Sequence, residues 1–354
     1  MNKYAKLIAL LGITVSFMSC SKDSDPIVEV PASDGSTLTL KGLIGAEAGT
    51  SAGNSVFVDF STDKQTSVAR ESWDLGFYCG SDFRVILNNT VGATAIALTK
   101  TDLTAVTAAD TTALAVSETL ALGQGKGTLS TIDPVDGTSS VYLNGTVIAA
   151  VSATDADNKV YIVNRGAAGT ATVRGWQKIR ILRSGAGYTL QYAKINETTF
   201  KTLTVAKDAA YNFKAVSFVT GAVTAEPVKA EWDLQWSLAT YKATPTLPYT
   251  FSDFVLINFV GGVTAAQVAV TTTVTYADFK ESDLSGITFL GTREVIGGNW
   301  RVTSGGTVGV LTDRFFLVKD AAGNVYKLKF VSFTSTDGGV RGNPVIEYKL
   351  VKKA

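Results

Sequence analysis

Apolar and polar residues run along this chain in short, largely alternating stretches, as in Val56-Phe57-Val58-Asp59-Phe60 and Lys327-Leu328-Lys329-Phe330-Val331. Successive side chains of a strand point to opposite faces, so such runs predict strands with one face buried. Turn formers such as Asp320-Ala321-Ala322-Gly323-Asn324 separate them, and no long stretch has helical period. The expected fold class is all-β.

The pattern also repeats. Glu71-Ser72-Trp73-Asp74-Leu75-Gly76-Phe77 returns as Glu231-Trp232-Asp233-Leu234-Gln235-Trp236, and Asp82-Phe83-Arg84-Val85-Ile86-Leu87-Asn88 as Asp253-Phe254-Val255-Leu256-Ile257-Asn258. Each second motif leads to a Gly turn and a Thr-Ala pair, Thr94-Ala95 or Thr264-Ala265. The ends correspond too: Trp176 to Ile181 followed by Tyr188 to Tyr192, against Val325 to Phe330 followed by Ile346 to Leu350. Two copies in one order predict two tandem domains, 36–200 and 205–354. In this register Cys79 falls where the second copy has Leu238, which reads as a small buried hydrophobe rather than a thiolate ligand.

The start of the chain reads as an address. Asn2 to Lys6 is basic, and Leu7 to Phe17 is an apolar run too short to span a bilayer. It closes on Ser19-Cys20, a lipobox pattern, so residues 1–19 are expected to be a lipoprotein signal peptide and Cys20 the lipidated residue that holds the chain to the bilayer. Polar, acidic residues follow, and 20–35, with Pro26 and Pro31, reads as a flexible tether. Once Cys20 is acylated, Cys79 has no cysteine left to pair with, and stability must come from apolar cores.

Charge narrows the partners. The net charge is +1, Lys and Arg are scattered, and Lys352-Lys353 is a solvated end, so nucleic acid is not an expected partner. Gly123-Gln124-Gly125-Lys126-Gly127-Thr128 lacks the spacing of a phosphate loop and reads as a hairpin. Asp155-Ala156-Asp157-Asn158-Lys159 lacks the Gly and the bidentate Glu of a calcium loop and reads as a turn. Glu71, Asp74, Glu231 and Asp233 recur in both copies opposite the Trp face, which favours strand-end polar contacts over acid–base work. With no histidine and no visible nucleophile–base pair, the chain is not expected to be an enzyme.

The Trp-Asp-Leu-x-Phe strand, the strand ending in Asn before a Gly turn, and the hairpin of Tyr326-Lys327-Leu328-Lys329-Phe330 with Ile346-Glu347-Tyr348-Lys349 resemble the HmuY family of Bacteroidetes surface lipoproteins. The resemblance is stronger in the second copy. It implies a mostly β, hand-like fold, here as two tandem HmuY-like domains. It also implies capture of haem or a related tetrapyrrole, delivery to an outer-membrane transporter, and a lipid-anchored location on the outer membrane, exposed at the cell surface. The family's iron ligands are His, or Met in some members. This chain has no His, and its only Met residues, Met1 and Met18, lie in the signal segment. Haem would therefore be held without His or Met ligation, by a Tyr phenolate, by the Cys79 thiolate, by a neutral Lys, or by apolar stacking alone. The alternative is a surface interaction or structural module on the same fold that has lost haem.

One difference between copies suggests a place. Between its two motif strands the second copy inserts Ala239 to Ser252, carrying Tyr241, Pro245, Pro248, Tyr249 and Phe251. This reads as a proline-stiffened loop, and Tyr241, Tyr249 and Phe251 are the expected cofactor-binding residues. A loop that merely covers the end of the sheet is the other reading.

Overall fold

A computed structural model of the chain describes residues 31–167 and 174–354. Cys20, the signal segment and the tether up to residue 30 lie outside the described residues. Ala32–Ala354 forms one compact unit. Among the described residues no helix is long and apolar enough to cross a membrane.

The first copy contributes β1 (Gly35–Thr39), β2 (Asn54–Asp59), β3 (Lys64–Ala69), β4 (Leu75–Tyr78), β5 (Val85–Leu87), β6 (Thr94–Ala97), β7 (Val160–Asn164), β8 (Trp176–Ser184) and β9 (Gly187–Lys194). Two short helices, α1 (Ala109–Val116) and α2 (Ser139–Asn144), lie between β6 and β7. The second copy contributes β10 (Lys201–Val205), β11 (Phe213–Ser217), β12 (Gly221–Val223), β13 (Leu234–Thr244), β14 (Leu247–Ile257) and β15 (Thr264–Ala269). It continues through the small pair β16 (Arg301–Val302) and β17 (Gly309–Val310) to β18 (Arg314–Lys319), β19 (Val325–Ser332) and β20 (Val345–Lys352). The all-β expectation holds.

The pairing exchanges strands between copies. Two five-stranded antiparallel sheets run β1-β20-β19-β18-β15 and β10-β9-β8-β7-β6; two four-stranded sheets run β14-β13-β2-β3 and β12-β11-β4-β5. The first three strands of each copy therefore complete sheets whose remaining strands come from the other copy, β10 pairing with β9 directly before it. The registers match: Val58 pairs with Leu234 as Val216 pairs with Leu75, and Ser36 with Tyr348 as Lys201 with Tyr192. The expected division between 200 and 205 is occupied by β10, Lys201–Val205. The segments 36–200 and 205–354 are nevertheless not self-contained, because each leaves sheet hydrogen bonds that only the other supplies.

Each five-stranded sheet packs on a four-stranded one. The first core joins Val58 and Phe60 from β2 and its turn to Trp236, Leu328 and Tyr348; the second joins Val216 and Phe218 to Phe77, Ile179 and Leu190. The outer faces of the five-stranded sheets are also covered, by smaller clusters around Leu103 and Val106 in one case and Phe279 and Phe315 in the other. A lysine stitches each cover down. Lys178 Nζ donates to Val106 O at 2.7 Å, and Lys327 Nζ donates to Phe279 O at 2.9 Å and Ala277 O at 3.1 Å. Both lysines are buried, and desolvation pushes both ammonium groups below the usual lysine range.

The repeated motif residues act as scaffold. Asn88 Nδ2 donates to Arg70 O at 2.7 Å and Trp73 O at 2.9 Å; Asn258 Nδ2 donates to Lys229 O at 2.8 Å and Trp232 O at 3.0 Å. Each Asn thus ties the end of one motif strand to the start of the other. Trp73 and Trp232 are both buried. Cys79 and Leu238 are buried as well, and burial pushes the Cys79 thiol up, as suits a small hydrophobe.

Candidate functional site

The segment Ala239–Ser252 is not a loop. It continues β13 and β14 into a long hairpin, with Tyr241 directly across from Tyr249 and Lys242 across from Pro248. Pro248 is accommodated because β14 is the edge of its sheet. A bulge between Ser237 and Ala239, with Asp253 opposite in left-handed backbone at φ 53°, bends the hairpin out of the core sheet. The extension reaches the first copy's lobe: Thr240 Oγ1 donates to Asn89 O at 2.9 Å, and Lys242 pairs with Asp136.

The bend makes one wall of a broad cleft of about 950 Å³. That wall carries Tyr249, Phe251, Arg301 and Arg341; Trp176 and Gly166 belong to the opposite wall, from the first copy. Two of the three expected aromatics thus meet in the cleft. Tyr249 is exposed, and its ring lies edge-on to Phe251 at 5.1 Å. Tyr241 is not on the cleft lining. Its ring packs on Phe254 at 5.2 Å, and burial, with Glu294 next, pushes its phenol up, which disfavours a phenolate there.

The charged groups of the cleft carry no signal in the repeat pattern. Arg301 Nη2 donates to Ser252 O at 2.5 Å, and Arg341 Nη2 donates to Ser252 Oγ at 3.0 Å and Asp253 Oδ2 at 2.9 Å. Two guanidinium groups therefore converge on the residues that follow Phe251. Arg301 Nε is buried and makes no hydrogen bond among the described residues. Burial lowers Arg301 to about 10, so it stays cationic at neutral pH. Both arginines sit in glycine-rich stretches, Gly297-Gly298-Asn299-Trp300-Arg301 and Gly338-Gly339-Val340-Arg341-Gly342, and that adjacency is the one sequence cue that marks them. Arg174 also borders the cleft, but it is committed to Asp74 Oδ1 at 2.5 Å and to backbone oxygens of Glu71, Trp73 and Arg165.

A second cavity, about 80 Å³, lies between the two four-stranded sheets against Trp73 and Trp232 and is too small for a macrocycle. The remaining motifs fold as turns: Gly123 bridges Lys126, and Asp155–Asp157 is a single 3₁₀ turn. Among the described residues no group of His, Cys, Asp and Glu could hold a metal ion.

The chain matches the family model described as HmuY protein over residues 51–348, a span that takes in both copies and both walls of the cleft. No curated protein and no solved structure matches it.

Proposed function

The chain belongs to the HmuY family, whose members are surface haem-binding proteins, and from that premise we propose that it captures haem or a related tetrapyrrole in the cleft beside Tyr249 and Phe251 without His or Met ligation. The observation that carries this reading is the meeting of an aromatic shelf and two guanidinium groups on one strand and its neighbours. A flat macrocycle needs apolar faces, and its carboxylates need cations. The residues present fit the faces and edge of a haem. For the iron they offer one phenol on the cleft lining, that of Tyr249, which would hold the metal in place of His or Met.

Anchoring through Cys20 places the cleft at the outer membrane surface, where the ligand is passed to an outer-membrane transporter. No part of this role needs chemistry on the ligand, and the protein is a carrier rather than an enzyme. Added hemin is expected to quench tryptophan fluorescence, because Trp176 lines the cleft, and to saturate at one equivalent per chain. No quenching would refute the proposal.

One observation favours a second reading, an interaction module without ligand. The hairpin that bears Tyr249 is tied to the other lobe through Thr240–Asn89 and Lys242–Asp136, which is also what a purely structural brace would do.

A further inference from the structure

We infer that the cleft recognises its ligand by the carboxylates and the flat face, not by the metal, so that it takes metal-free porphyrin dicarboxylates as readily as haem. The inference rests on the proposed haem site and deepens it. Among the described residues the cleft lining offers Tyr249 as its single phenol. The groups poised for a ligand are of another kind.

Arg341 is held by Asp253, which is fully buried and accepts from both Nε at 3.1 Å and Nη2 at 2.9 Å. This fixes the guanidinium plane while Nη1 makes no hydrogen bond among the described residues. Arg301 reaches the same corner, with Nη2 on Ser252 O at 2.5 Å, Nη1 on Gly298 O at 3.3 Å and its Nε buried. Two planar cations fixed around one residue on the cleft lining, Arg341 with Nη1 to spare, suit a pair of neighbouring carboxylates. The shelf of Tyr249 and Phe251 begins three residues before that corner on β14, so a planar ring can lie on the shelf while its acidic edge meets the arginines.

The test uses the full chain with three probes: hemin, metal-free protoporphyrin IX and its dimethyl ester, each titrated by fluorescence quenching. Protoporphyrin is expected to bind within about threefold of hemin, and the ester about tenfold or more weaker, as loss of charge-assisted hydrogen bonds implies. Arg341 is a poor target because its loss would leave Asp253 buried and unpaired. Arg301→Gln is the useful variant: it should weaken protoporphyrin about tenfold and leave the ester unchanged. Binding of hemin but not of protoporphyrin, or equal binding of acid and ester, overturns this inference and leaves haem capture standing. Binding of none of the three overturns haem capture itself.

Discussion

Asp74 and Asp233 hold the same place in the two copies, and each accepts a backbone N–H from the exchanged strand at 2.8 Å, from Phe218 and Phe60 respectively; only Asp74 meets arginine. Arg165 Nε and Arg174 Nη2 close on Asp74 at 2.8 and 2.5 Å. Asp233 instead has Asp59 and Asp320 for neighbours, and burial first, then those charges, raises its carboxyl to about 8. Equivalent positions should therefore respond oppositely to the same change. Asp74→Asn breaks a buried ion network and is expected to cost about 3–5 kcal/mol. Asp233→Asn removes a group that the fold prefers neutral. The native carboxyl imposes no penalty below its ordinary value of 3.8, a growing one as the pH rises towards about 8, and a constant one above. Urea melts at pH 5 and pH 9 should show the Asp233→Asn variant gaining on the wild type at the higher pH. An unchanged difference between the two pH values would contradict this account of Asp233.

The strand exchange predicts that the chain survives a cut. The connection between β9 and β10 is exposed from Asn196 to Phe200. A protease site inserted between Glu197 and Thr198 and then cleaved should leave two pieces that elute together, since each holds strands of the other's sheets. Pieces that separate without denaturant would mean that the halves close on themselves.

The lysine under each cover has a local signature. Lys327→Ala should release the carbonyls of Ala277 and Phe279, and the segment around them should become the first site of proteolysis. The sheet beneath, bonded strand to strand, should keep its amide protection. Uniform loss of protection would show that Lys327 supports the whole lobe rather than the cover.

Within the cleft the two tyrosines should separate. Tyr249→Ala removes part of the shelf and is expected to weaken hemin by about 0.5–1.5 kcal/mol or more, measured by equilibrium titration. Tyr241→Phe should leave affinity unchanged, because that ring packs on Phe254 away from the cleft lining. A larger effect at Tyr241 than at Tyr249 would move the site.

Alternation and the Trp-Asp and Asn motifs make the strands and their buried faces legible in the amino-acid sequence. They do not show which strands pair: the period of two tells which way a side chain points, not which neighbour completes the ladder. Hence nothing in the sequence sets Val58 beside Leu234, or Val216 beside Leu75. The aromatics of the inserted segment draw attention to it, and Tyr249 and Phe251 line the cleft. Its form is harder to read, because Pro245 and Pro248 suggest a loop, whereas an edge strand tolerates Pro248. Arg301 and Arg341 escape the sequence pattern because each lies alone among glycines, and only the fold brings them to Ser252.

The most direct measurement is the ferric absorbance spectrum of the hemin-loaded protein. The account predicts a Soret shift that saturates at one equivalent and a high-spin spectrum, as for five-coordinate or tyrosine-bound iron. A low-spin, bis-ligated spectrum, or no spectral change on adding hemin, would contradict it.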